Sequence, residues 1–404
     1  MAAEPADITV TRLTWVDHLL DEVETPAGRL RITLGLGSGL ARRAGDPPGV
    51  VWAIGDRGPN IKIGAAVDDH GLSGLSGLSG LAGLEGAKIM PRPAIGPTLA
   101  QLHVGADRVE RLQVLPLRDA AGAAFDGLPG PGGDAASMEP AFDLSGALLG
   151  PSLAGGDTEA VAALADGTFR VADEYGPSIL VVAADGVVQA RWVPKGEGAA
   201  LAGAAYRLED VLPALSARRR LNRGFEALAL SPDETRLHAI LQSPLSPDDE
   251  TAAEGRGRAR LWTLDVRTGA PLAEHFYPFD APETFRRDAE AGPVGPEDLK
   301  ISEAVSLGDD QLLVLERISR TSKLYRVTLD APVLTKTLVL STDDWPQIDP
   351  DLEGMALLSD RDLLLSTDND FGVEGRETAF FRVSFAAPLA DGGRAAGSAW
   401  ATMT

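Results

Sequence analysis

One pattern recurs along the chain and limits what it can fold into. An apolar strand opens on an acidic residue, a short polar turn follows, and a second apolar strand ends on polar or charged residues. The copies read GSGLARRAGDPPGVVWAIGDRGPN (37–60), DTEAVAALADGTFRVADEY (157–175), GFEALALSPDETRLHAILQS (224–243), ISEAVSLGDDQLLVLER (301–317) and DLEGMALLSDRDLLLSTDND (351–370). The first copy is degenerate and carries Gly39 where the others have Glu159, Glu226, Glu303 and Glu353. The turns Ala165-Asp166-Gly167, Ser231-Pro232-Asp233, Gly308-Asp309-Asp310 and Ser359-Asp360 have hairpin chemistry.

Two further strands follow each copy except the last, which is followed only by TAFFRVSF. The N-terminal segment ADITVTRLTWV can supply the missing strand. Four-stranded units with the last sheet closed by the opposite terminus predict an all-β propeller, because closure removes free edges. The count gives five blades, at 28–118, 157–194, 224–280, 297–341 and 351–388 with 6–16, and six stays open. The expected organisation is one domain over 1–404. The 45 Gly and 28 Pro agree with frequent turns. The repeat GLSGLSGLSGLAGLEG (71–86) and GLPGPGG (127–133) read as connectors without chemistry. EDVLPALSARRRLNRGFE (209–226) is expected to hold one short helix, with Arg218, Arg219 and Arg220 near its C-terminus.

In a blade the innermost strand and its neighbour run antiparallel, so the start of one and the end of the other share a rim. This places Glu353 near Asp368, Asn369 and Asp370, Glu159 near Asp173 and Glu174, Glu226 near Gln242, and Glu303 near Glu316 and Arg317. In the first blade it places Gly39 near Asp56 and Arg57. Carboxylates so gathered raise one another's pKa unless a cation, a basic side chain or a shared proton compensates. Oxygen donors without His or Cys favour Ca²⁺, or Mg²⁺, over Zn²⁺. Two alternatives stand beside this. The repeated Glu can make the same backbone bond in every blade, and in AIGDRGPN (53–60) the Asp56–Arg57 pair can simply fix a turn that Asn60 caps.

Composition excludes several classes. A net charge of −22 repels phosphate backbones, so no nucleic-acid partner is expected. With no cysteine there is no disulfide, thiolate zinc site or Cys nucleophile. Five scattered histidines give no HExxH, and GxSxG, Walker and dinucleotide glycine motifs are missing. DNDFG lacks the spaced Glu of an EF-hand. No apolar run reaches the ~18–20 residues of a membrane span. The start MAAEPADITV reads as a mature N-terminus behind an added Met, so a periplasmic or secreted location is expected, a cytoplasmic one being the alternative, and the chain is expected to be monomeric.

Taken in order, DRGPN (56–60), FDGLPGP (125–131), VADEYGPSIL (171–180), NRGFEALALSPD (222–233), LLVLER (312–317) and DLEGMALL…DNDFG (351–372) resemble the phytase-like, "esterase-like activity of phytase" proteins of bacteria, over about 28–388. The insertion at 71–86 and Ala160, where Gly is usual after Glu, depart from that pattern. The resemblance implies a propeller and hydrolysis of a phosphate ester or other anionic small molecule. On that footing Asp56, Glu159, Glu174, Glu226, Glu316, Asp368 and Asn369 are the expected Ca²⁺ ligands. Arg57 and Arg317 would contact phosphate oxygens, Glu353 would be the general base, and Arg223, Lys300, Asn60 and Gln242 would bind substrate. A calcium-dependent lactonase or ester hydrolase, and a non-catalytic propeller that binds a metal, a sugar or a protein, are the alternatives.

Overall fold

A computed structural model describes residues 7–78, 86–131, 138–308 and 310–390. Parts of the two connectors (79–85 and 132–133), Asp309 of one hairpin turn and Ala6 of the N-terminal segment lie outside the described residues.

Strands dominate, and helices are short. Five sheets each follow one copy of the repeat. The first contains Gly39–Ala41, Val50–Ile54, Thr98–Val104 and Val109–Pro116. The second contains Thr158–Ala163, Phe169–Asp173, Ser178–Val182, Val188–Pro194 and Arg207–Leu212. The third contains Phe225–Leu230, Arg236–Leu241, Arg258–Asp265 and Pro271–Pro278. The fourth contains Lys300–Ser306, Gln311–Arg317, Ser322–Thr328 and Thr335–Ser341. The fifth contains Leu352–Leu357, Asp362–Thr367 and Phe380–Phe385, and the N-terminal strand Ile8–Leu13 pairs antiparallel with the last of these.

Each sheet buries an apolar face against the next, and five separate cores result. Trp52, Leu99, Phe169 and Leu180 fill the space between the first and second sheets. Phe225, Leu237 and Trp262 pack against Ile179 and Trp192 between the second and third. Tyr277, Leu261, Val314 and Val327 lie between the third and fourth, and Leu313, Leu324, Met355 and Phe381 between the fourth and fifth. Leu364 and Phe380 of the fifth meet Leu40, Val51 and Leu102 of the first. Full burial of each such side chain contributes roughly 1.5–3 kcal/mol, so every junction is held by its own apolar contacts. The innermost strands accordingly neighbour one another in the order first, second, third, fourth, fifth and back to first.

Two boundaries differ from the sequence expectation. Residues 28–33 do not enter the first sheet. They pair with Leu19–Thr25 across a tight turn, since a local hairpin closes more easily than a distant ladder. The stretch 209–226 holds no α-helix. Arg207–Leu212 extends the second sheet as a fifth, parallel strand that covers its outer edge, and Pro213 then leads into a single 3₁₀ turn, Ala214–Arg218.

One irregularity positions the acids. In the second to fifth sheets the innermost strand slips register with its neighbour at the start of the repeat, between Thr158 and Val161, Phe225 and Ala227, Ile301 and Glu303, and Leu352 and Gly354. Glu226 and Glu353 are themselves the extra, unpaired residues. A bulge re-aims the side chain it carries, so an acid that would otherwise point into an apolar core turns toward the ring of inner strands. The first sheet pairs without such a slip and has Gly39 instead, where a Cβ would sit 2.7 Å from both the Ala160 Cα and the Glu159 carbonyl oxygen.

Candidate functional site: a carboxylate cluster at one end of the inner strands

One end of the inner strands gathers acidic side chains from the first three sheets and their flanking loops, with Glu353 of the fifth beside them. Asp56, at the exit of Val50–Ile54, meets Asp157 and Glu159, and their nearest oxygens all lie within 4.8 Å of one another. Glu159, Glu174 and Glu226 form a second set within the same limit, so Glu159 belongs to both. Close backbone approach makes the second set possible: a Cβ on Gly224 would stand 2.3 Å from the Glu174 carbonyl oxygen, so only glycine lets these loops touch.

The cluster is desolvated and incompletely satisfied. Asp157, Glu174 and Glu226 are buried. Asp157 Oδ1, Glu174 Oε1, Glu226 Oε2 and the neighbouring Gln242 Oε1 accept no hydrogen bond. Buried oxygens are rarely left this way unless something outside the polypeptide meets them. Burial pushes Glu159 well above the ordinary carboxylate range, with Glu226, Asp157, Asp56 and Glu174 adding repulsion. Burial does the same to Glu174, with Glu226 next, and to Asp157 despite Arg57. Glu226 is pushed up to about 7 by burial and by Glu353. Asp56 is the exception: burial works against its charge, but Arg57 and hydrogen bonds from Asp157 and the Arg57 backbone hold it low.

The basic residues divide into two kinds. Arg57 is saturated. It meets Asp56, Glu139, Asp157 (2.8 Å), the Tyr175 hydroxyl and Asn222 Oδ1 (2.8 Å). Arg317 is held by Asp351, Glu353 and Ser302. The guanidinium of Arg57 has no donor left for a phosphate, so its expected contact is replaced by a role in holding carboxylates, whereas Arg317 holds Ser302, Asp351 and Glu353 with three of its five N–H groups. Arg223 and Lys300 are different. Among the described residues Arg223 donates only to the Glu297 carbonyl (3.3 Å), and its buried Nη1 has no partner there. Lys300 makes no hydrogen bond or ion pair among the described residues, and the fields of Arg317, burial and Arg223 lower its pKa.

The remaining expected residues separate. Glu353 faces the cluster, paired to Arg317, and burial raises its pKa well above normal, ahead of Asp368, Asp351 and Asp370. Asp368 takes a hydrogen bond from Ser38 and another from the Asp370 backbone (2.8 Å); it feels Asp56 but joins neither set. Asn60 donates to Asp56 (3.3 Å) and to the Gly58 carbonyl, capping its turn. Gln242 hydrogen-bonds Glu226. Glu316 stands apart from the cluster: Tyr277 (2.6 Å), the Asp280 backbone (2.8 Å) and Lys336 occupy its oxygens. Asn369 is likewise occupied, accepting from the backbones of Leu36 and Phe371 and donating to Thr33 and Leu34. Glu303 accepts backbone N–H groups from Ala304 (2.9 Å) and from Leu40 (3.2 Å), so this repeat of the Glu position makes the backbone bond weighed above.

Sequence reasoning passed over Asp157, Glu139 and Asn222. Asp157 had a signal, since Asp157-Thr158-Glu159 repeats the spacing of Asp351-Leu352-Glu353. Glu139 and Asn222 reach Arg57 from loops far away in sequence and had none. Backbone strain marks the same region. Four of the five described non-glycine residues at positive φ (Asn222, Asp351, Asp370 and Phe371) flank the cluster.

A cavity of about 410 Å³ opens at the other end of the inner strands. Leu40, Val161, Leu228, Leu307 and Leu357 line it, and it holds none of the clustered carboxylates. The groups of carboxylates close enough to hold a cation lie at the acidic end, which is therefore the candidate site.

Comparisons with known proteins narrow the family. An uncharacterized secreted protein of Arthroderma benhamiae is 27% identical over 252 residues, 57% of this chain and 46% of that protein, so the chain spans under half the length of that relative. Similar solved structures include the major allergen Mala s 1 of Malassezia sympodialis (TM-score 0.36, 11% identity, 86% of this chain and 78% of that one). A calcium-binding regucalcin of Agrobacterium tumefaciens (0.36, 13%, 93% and 95%) and a gluconolactonase of Xanthomonas campestris (0.31, 12%, 71% and 68%) are others. The profile of one family matches residues 32–371, most of the chain and every acidic residue of the cluster, and the chain therefore belongs to the phytase-like family described as "esterase-like activity of phytase".

Proposed function

We propose that this chain is a divalent-cation-dependent hydrolase of a phosphate ester, built as a five-bladed propeller with its site at the acidic end of the channel. The ring order of the inner strands and the N-terminal strand in the fifth sheet support the propeller reading. The observation that carries the function is the set of buried carboxylate oxygens around Glu159 that no protein donor satisfies. An all-oxygen donor set of this charge suits Ca²⁺.

Asp56, Asp157, Glu159, Glu174 and Glu226 would hold the cation, which supplies Lewis acidity toward a phosphoryl oxygen and lowers the pKa of a bound water. Lys300 and Arg223 carry positive charge on the flank of the cluster without a carboxylate partner of their own, and they bind the anionic substrate. Glu353, oriented by Arg317, takes the proton from the attacking water. The secreted relative supports an exported location.

The test is phosphate release from a panel of monoesters with calcium and with a chelator. Lys300→Gln and Arg223→Gln are expected to raise KM at least tenfold, and Glu353→Gln to lower kcat with little change in KM. Turnover of lactones or aryl esters in place of phosphate esters would move the assignment to the ester reading. Calcium binding without turnover on either panel would leave a binding protein.

A further inference from the structure

We propose that the cluster holds two divalent cations side by side, with the Glu159 carboxylate bridging them. This rests on the cation-dependent reading above and specifies its stoichiometry. The five acids fall into two sets of three that share only Glu159. Within each set the oxygens lie no more than 4.8 Å apart, a separation that one ion with Ca²⁺–oxygen distances of roughly 2.3–2.6 Å can span. Each set also has its own buried, unsatisfied oxygen: Asp157 Oδ1 in the first, Glu174 Oε1 and Glu226 Oε2 in the second. One ion between Asp56, Asp157 and Glu159 would leave the second set as it is.

Charge points the same way. Asp351 and Glu353, in the neighbouring half of the site, are ion-paired by Arg317, and Asp351 also by Arg376. Around Glu159, the acids Asp56, Asp157, Glu159, Glu174, Glu226 and Glu139 make six carboxylates, and among the described residues only Arg57 is ion-paired with any of them. Both ions would share the oxygens of Glu159, whose bulged backbone sets it between the first and third sheets.

Calcium alone is the probe. Full-length protein is stripped with chelator, and calcium is titrated by calorimetry and counted by native mass spectrometry. Two ions per chain are expected in the unaltered protein and one in Glu226→Gln and in Asp157→Asn. Glu159→Gln is expected to weaken both sites at least tenfold, with melting curves run on each variant. Manganese is then substituted, and electron paramagnetic resonance is expected to show an exchange-coupled pair, replaced by isolated-ion signals in Glu159→Gln. A single ion per chain overturns the proposal and leaves the cation-dependent reading in place. Two ions without coupling overturn the bridge, and no bound ion overturns both readings.

Discussion

Glu226→Gln is expected to change protein stability in opposite directions with and without calcium. In chelator, ionising Glu226 inside the cluster is unfavourable, because burial and Glu353 raise its pKa from 4.5 to about 7. A raised folded-state value means that the native protein binds more protons than the unfolded chain between those limits. Stability is therefore lost as pH climbs from 4.5 through 7, and the full penalty applies above 7. A difference of this size corresponds to ~3 kcal/mol. Glutamine keeps the shape and the contact with Gln242 but carries no charge, so the variant should match the parent near pH 5 and exceed it by ~3 kcal/mol near pH 8. For 404 residues the unfolding entropy is roughly 0.85 kcal/mol/K, so the gain is about 4 °C in Tm. In saturating calcium the order reverses. Each ion adds ~4 kcal/mol at a thousandfold excess over its Kd, so a parent holding two gains ~8 kcal/mol against ~4 for a variant holding one, which outweighs the ~3 kcal/mol advantage of the variant. Differential scanning fluorimetry at the two pH values, with chelator and with calcium, reads all four conditions. A variant less stable than its parent in chelator near pH 8 would refute the reasoning, because Glu226 would then be a structural hydrogen-bonding residue.

Three further outcomes follow from other parts of the structure. Glu303→Ala leaves the buried N–H groups of Leu40 and Ala304 unsatisfied, at ~1–3 kcal/mol each, so the urea midpoint should fall while calcium stoichiometry by mass spectrometry stays the same. His238 is fully buried, and burial, then Arg236 and His275, lower its pKa to about 4. The unfolded chain thus binds the extra proton between pH 6.5 and 4, and up to ~3 kcal/mol of stability is lost as pH falls through that window. His238→Gln should flatten this part of the urea midpoint–pH curve. Gly39→Ala drives a methyl group against the backbone of residues 159–160. Overpacking there should cost ~1–3 kcal/mol in chemical denaturation and weaken calcium binding, because it displaces Glu159.

Much of this was legible in the sequence because period-two alternation and turn residues are local signals. The five strand-turn-strand copies gave the sheets, and the lone final strand TAFFRVSF pointed to the N-terminus as its partner. The approach of Glu159 and Glu174 followed from antiparallel pairing within one sheet, and their meeting with Glu226 from the expected ring of sheets. What was not legible depends on side-chain direction and on distant loops. Glu316 has the same repeat position as Glu174, but Tyr277 and Lys336 draw it away. Arg57 and Arg317 looked available because their partners Glu139, Asp157 and Asp351 arrive from other segments. The strand Arg207–Leu212 went unseen because its parallel pairing needs a crossover rather than a hairpin turn.

The fifth sheet joins Ile8–Leu13 to Phe380–Phe385, almost the whole sequence apart, and the same sheet carries Glu353. A polypeptide still being synthesised therefore has four of its sheets before it can finish the fifth. Clipping a handful of residues near the start would strip the edge strand from Phe380–Phe385, the strand that flanks the hairpin presenting Glu353 and Asp368. The geometry of the acidic end is in this way tied to strands that lie far apart in the sequence.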